Sequence, residues 1–119
     1  MSNIKETLDK LLTIDGALAA AIVDSDSGML LGSAGSGIDL DVAASGNTEV
    51  VRAKLKTIAA LGLEDSIDDI LITLSTQYHI IRPLAQNPEV FIYLVLDKNK
   101  SNLAHARLGT KNADAGLEL

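Results

Sequence analysis

The segment Asp69–Leu96 constrains the fold more than any other, because it reads as three successive antiparallel strands separated by two turn signals. Val90 to Leu96 is apolar at every position and rich in β-branched and aromatic residues, which requires cover on both faces and predicts a central strand. Asp69 to Leu74 instead alternates, with Ile70, Ile72 and Leu74 on one face and Leu71 and Thr73 on the other, the pattern of a strand near a sheet edge. Pro83 limits ladder pairing late in the middle strand, and Asn87-Pro88 makes the second turn.

Upstream, Ser2 or Asn3 is positioned to cap a first helix, with Glu6 completing a capping box and Ile4, Leu8, Leu11 and Leu12 forming its apolar stripe. Asp15-Gly16 ends that helix. Ala17–Asp24 is a strand apolar on both faces, Asp24-Ser-Asp-Ser-Gly28 a turn, and Met29–Ser33 the returning strand of a hairpin. Asp39 or Asp41 caps a helix expected to run to about Leu61, with Leu40, Ala44, Val51, Leu55 and Ile58 as its buried stripe. Gly46 is the weak point of that helix, marking a break, a close helix crossing or a later start near Asn47. Ser101–Arg107 reads as a short last helix with Leu103 and Ala106 inward. The polar, glycine-containing stretch 109–119 reads as a disordered tail.

The resulting order α-β-β-α-β-β-β-α predicts an α+β domain over residues 1–108, a five-stranded antiparallel sheet with helices on both faces. A chain of 119 residues with 47% hydrophobic content suffices for one core and buries roughly 65% of its unfolded surface. Aromatic content is only 3%, so the core rests on aliphatic residues and many alanines that each contribute little area. A core this lean gains from hiding further apolar surface between two copies, and a dimer is expected on that ground.

Ten basic against sixteen acidic residues leave a net charge of -6, opposite to the basic field of a nucleic-acid binder. The absence of cysteine excludes disulfides, thiol catalysis and a zinc ribbon, and fits a reducing cytoplasm. The N-terminus lacks a basic-then-apolar signal, and the run Ala17–Val23 is too short to cross a bilayer, so neither secretion nor direct membrane insertion is expected.

No stretch carries a convincing catalytic or cofactor motif. The loop Gly32-Ser-Ala-Gly-Ser-Gly37 lacks the Gly-Lys-Ser/Thr of a phosphate-binding loop and the spacing of a dinucleotide site. Asp24-Ser-Asp-Ser-Gly28 resembles the opening of a calcium loop, but its glycine comes one residue early and Gly35 stands where a bidentate Glu is required. His79 and His105 lack partners at metal-ligand spacing, Ser75 sits in no nucleophile elbow, and Asp65, Asp68 and Asp69 read as guards of an edge strand. His79 is expected to be a packed or hydrogen-bonded strand histidine. Arg52 and Lys56, four apart on the helix surface, are candidates for contact with an acidic partner.

The chain resembles the Roadblock family of dynein-light-chain-like and small-GTPase-regulator domains from Ile4 to about Leu108. The residues that carry the resemblance are Gly16-Ala-Leu-Ala-Ala-Ala-Ile-Val-Asp24 with the following Ser-Gly-Met-Leu-Leu hairpin, the long helix ending Ala-Leu-Gly62, and Tyr78-His-Ile-Ile-Arg-Pro-Leu84 followed by Val90–Leu96. Gly46 and Asn47 depart from the pattern. The resemblance implies a homodimer or heterodimer in which edge strands and central helices meet, with Val51 and Leu55 of the helix joining Ile70 and Ile72 of the edge strand. It further implies a non-enzymatic platform without cofactor that binds a Ras-like small GTPase, as scaffold or as activator; Arg52 and Lys56 are candidates for that contact because exposed cations steer association with acidic partners. A small-molecule-sensing module of profilin-like fold is the alternative, since the many alanines leave room for a pocket between sheet and helix.

Overall fold

The computed structural model describes residues 2–119. Helix α1 (Ile4–Leu11), strands β1 (Ala17–Asp24) and β2 (Met29–Gly35), helix α2 (Leu40–Ala60), strands β3 (Ile70–Thr73), β4 (Gln77–Pro83) and β5 (Val90–Asp97), and helix α3 (Leu103–Gly116) follow in the expected order. They build one antiparallel sheet in the order β2-β1-β5-β4-β3, so the wholly apolar strand is central and β2 and β3 are the edges. Every residue from Val90 to Leu96 is buried.

Helices α1 and α3 cover one face, packing on Ile22, Ile80, Ile92 and Leu94. Helix α2 covers the other, over Ala21, Val23, Phe91 and Tyr93. Ala19, Ala20 and Ala21 are completely buried, and their small side chains let helices on both sides approach β1 closely. Gly16 ends the α1 turn at φ +83°, and a Cβ there would collide with Ser101, so both its backbone angle and its lack of side chain are required.

Three local expectations are corrected. Asn3 precedes α1 but makes no side-chain cap. Its amide instead donates to the Gly116 carbonyl at 2.8 Å, and its Oδ1 accepts from the Glu118 N–H at 2.7 Å, joining the two ends of the chain. Gly46 neither breaks nor shortens α2, which starts on Asp39, whose carboxylate accepts from the Asp41 and Val42 N–H groups. The stretch from Gly109 is helical to Gly116 rather than disordered, with Thr110 fully buried and Gly109 against Ile14. Asp114 holds it down through an ion pair with Arg82 at 2.8 Å and hydrogen bonds from the Ala85 N–H.

Candidate interaction surface

The two edges of the sheet are finished differently. Strand β2 carries a bulge, its register to β1 slipping between Ile22 and Val23, which twists an edge away from further pairing. Strand β3 pairs residue for residue with β4, Ile70 opposite Ile81 through Thr73 opposite Tyr78, with no slip and no strand on its outer side. Its entry is fixed by Asp69, 8% exposed, which accepts two hydrogen bonds from Arg107 of α3. The regular edge is therefore also a preorganised one.

Helix α2 lies over β1 and β2 and leaves the β3 side of its face open. Arg52 donates to the Asp26 carbonyl in the β1–β2 turn, which marks the flank of α2 that faces β2. At 100° per residue the opposite flank, toward β3, carries Ala43, Asn47, Val50, the exposed Lys54 and Leu61, with Gly46 and Thr57 turned further toward solvent. Val50 is 39% and Leu61 65% exposed, and nothing lies within 4 Å of the place a Gly46 Cβ would occupy. Ala43, Val50 and Leu61 of the helix and the half-buried Ile70 and Ile72 on β3 together form an open, largely aliphatic corner in which Lys54 is the exposed charge.

The residues singled out from sequence distribute unevenly over this corner. Ile70 and Ile72 occupy the edge strand on the α2 face. Val51 is fully buried between α2 and the sheet, so its work is in the core, and the neighbouring Val50 presents itself to the outside in its place. Leu55 is 37% exposed and lines a separate cavity of about 350 Å³ with Ile67, Pro83, Leu84 and Pro88. Arg52 and Lys56 are exposed on the far side of α2, away from β3.

At the inner end of the corner stands a chain of polar groups. His79 Nε2 lies 2.9 Å from Gln77 Oε1, and His79 Nδ1 lies 3.0 Å from the Tyr93 hydroxyl. The His79 and Tyr93 rings meet edge to face with centroids 5.5 Å apart, and Asn47 of α2 borders the same cavity. Burial holds His79 below its ordinary pKa and raises that of Tyr93, the latter opposed by Asn47. The register explains the meeting: Ile81 faces Tyr93 and Val95 faces His79, which makes His79 and Tyr93 diagonal neighbours on one face. Neither ring's face nor the pairing can be read from the sequence, because Val90–Leu96 is apolar at every position and shows no alternation. The group opens into a cavity of about 280 Å³ beside Ile38, Val42, Ala43 and Gly46.

This constellation has no nucleophile, and among the described residues no three His, Asp or Glu side chains are placed to hold a metal ion. A third cavity, about 380 Å³, lies between α1 and α3 over Leu11, Ile14 and Ala113, rimmed by Glu6, Lys10 and Asn112. Among the described residues no helix is long and apolar enough to cross a membrane.

No family model matches the chain, and no curated protein sequence matches it significantly. Solved structures do. MglB of Myxococcus xanthus superposes with a TM-score of 0.82 at 22% identity, over 94% of this chain and 89% of that one. A Roadblock/LC7 domain from Streptomyces avermitilis superposes with a TM-score of 0.82 at 10% identity, over 96% and 93%. The gliding protein MglB of Thermus thermophilus gives 0.78 at 20% identity, over 93% and 82%. The fold is that of a Roadblock-type domain.

Proposed function

We propose that the chain is a non-enzymatic, homodimeric platform that engages a Ras-like small GTPase in the cytoplasm, as a scaffold or as an activator. The observation that carries the dimer is the contrast between the two sheet edges. β2 is bulged, whereas β3 is regular, anchored at its entry by Asp69–Arg107, and bordered by the α2 flank that exposes Val50 and Leu61. Two β3 strands pairing about a two-fold axis would continue the sheet and bring the Ala43–Leu61 flanks of two helices together. An interface of this kind buries aliphatic surface that a core poor in aromatic residues leaves outside.

The GTPase partner rests on the Roadblock resemblance of the Gly16–Asp24 and Tyr78–Leu84 segments and on the Roadblock-type fold. Arg52 and Lys56 lie on the flank of α2 turned away from β3, so a cationic contact there is compatible with a dimer closed on the other flank. Sedimentation of the purified chain and of Ile72→Arg tests the platform: the parent should be a dimer and the variant a folded monomer. Pull-down with GDP- and GTP-loaded Ras-like GTPases then tests the partner. A parent chain that sediments as a monomer at micromolar concentration overturns the reading.

The small-molecule alternative has one observation in its favour, the cavity between α1 and α3. Native mass spectrometry of the purified chain distinguishes it by a retained ligand.

A further inference from the structure

We propose that the cavity between α1 and α3 binds a free α-amino acid with an apolar side chain, Glu6 taking its ammonium and Lys10 its carboxylate. The inference rests on the small-molecule reading above, to which it gives a ligand class. It is compatible with the platform, because α1 and α3 cover the sheet face opposite α2.

The cavity exists because the two helices are tied at both ends and left unfilled between. At the start of α1, Asn3 donates to the Gly116 carbonyl at 2.8 Å and accepts from the Glu118 N–H at 2.7 Å. Beyond the end of α1, Ile14 closes against Gly109, where a Cβ would collide with it. Between these ties α3 offers Asn112, Ala113 and Gly116 and no bulky side chain, which leaves about 380 Å³. That volume lies within the range of small-molecule sites, about 300–1,000 Å³.

Floor and mouth differ in chemistry. Leu11, Ile14 and Ala113 make the floor apolar. Thr7, 7% exposed, lines the wall, and its hydroxyl is poorly used: its bond to Asn3 Oδ1 is 3.4 Å long, against about 2.7 Å for a good O–H···O bond. At the mouth Glu6 and Lys10 stand four residues apart on α1, in the order that favours pairing on a helix surface. Among the described residues, however, no ion pair joins them to each other or to any other side chain. Asn112 brings an amide that both donates and accepts from the α3 side.

This pattern selects by charge. One acid and one base leave the mouth without net charge, so neither a simple anion nor a simple cation is favoured, whereas a molecule carrying both charges side by side meets both. An α-amino acid does so, and its side chain then reaches from the mouth to Leu11 and Ile14. Burial of that side chain supplies affinity that solvent-exposed ion pairs alone do not.

The test is titration of L-phenylalanine into the isotopically labelled chain, followed by NMR amide shifts. Saturable shifts should centre on Thr7, Ile14, Gly109 and Ala113, and phenethylamine, without the carboxylate, and hydrocinnamate, without the ammonium, should each bind at least about tenfold more weakly. Glu6→Gln and Lys10→Met should each weaken binding at least about fivefold. Lys5→Met, which removes a cation paired with Asp9, should leave it unchanged, as should Ile72→Arg on the other sheet face. No saturation by about 10 mM, shifts centred elsewhere, equal binding of either truncated analogue, or an equal loss in Lys5→Met or Ile72→Arg overturns this proposal. A ligand of another class retained in native mass spectrometry also overturns it, while leaving the small-molecule reading standing.

Discussion

Arg107 on α3 grips Asp69 at the entry to β3 through two hydrogen bonds, Nε to Oδ2 at 2.8 Å and Nη2 to Oδ1 at 2.7 Å. The Arg107 side chain is half exposed while that of Asp69 is 8% exposed, so the pair ties the outer helix of one face to the residue just before the edge strand. The hydrogen bonds and charge of Asp69, with a smaller effect of Asp68, raise the Arg107 pKa.

Removal of this tie should loosen β3 more than it loosens the fold. Arg107→Ala is expected to cost only about 1 kcal/mol, because one partner is well solvated. Amide exchange at Ile70–Thr73 should nevertheless accelerate, since a four-residue edge strand has few other anchors. Hydrogen exchange with and without the substitution checks this; unchanged protection in β3 would show that the edge needs no tether.

The C-terminal segment should be integral to stability. Truncation after Leu108 removes the buried Thr110, the Asp114 partner of Arg82 and the Asn3–Glu118 clasp in one step. Arg82 and Asp114 are 13% and 6% exposed, and losing one partner of a buried pair costs about 3 kcal/mol. Asp114→Asn should therefore lower the denaturation midpoint markedly and the truncation should lower it further, both read by chemical denaturation.

How far the fold can be read from the sequence follows the strength of local periodicity. The uninterrupted apolar run Val90–Leu96 places β5 at the centre, and alternation places β3 at an edge, because burial on two faces or one writes directly into the residue pattern. The last helix reads from sequence as ending before Gly109 because its inward positions, Ala106, Gly109, Thr110 and Ala113, are small or polar and give no apolar stripe. What holds it is long-range: Ile14 against Gly109 and Arg82 on Asp114. The candidate surface shows the same limit. Ile70 and Ile72 follow from alternation, but Val51 and Val50 differ by 100° of rotation, and only the position of α2 over the sheet decides which one faces out.

That one-residue distinction should separate stability from association. Val51→Ala removes a fully buried side chain and should destabilise the fold by about 2 kcal/mol while leaving the dissociation constant of the folded dimer nearly unchanged. Val50→Arg should do the reverse, keeping the monomer folded and abolishing the dimer. Thermal denaturation and sedimentation on the two variants separate the effects; a dimer that tolerates arginine at position 50 places the α2 flank outside the interface.

Gly46 offers the most discriminating substitution, because its two environments oppose each other. In the single chain a methyl group at this position meets open space, and replacing a mid-helix glycine by alanine should stabilise α2 by about 1 kcal/mol. Across a two-fold axis the same position borders the flank where two copies of α2 would approach, and a missing side chain is what permits close helix contact. Gly46→Ala in an Ile72→Arg background should therefore raise the denaturation midpoint, while Gly46→Ala alone should weaken dimerisation by about tenfold, a cost of about 1.4 kcal/mol. The comparison is internal, since one methyl group is scored with and without a partner. If the single substitution strengthens both fold and dimer, Gly46 is an unfilled surface position, and the helices meet elsewhere along α2.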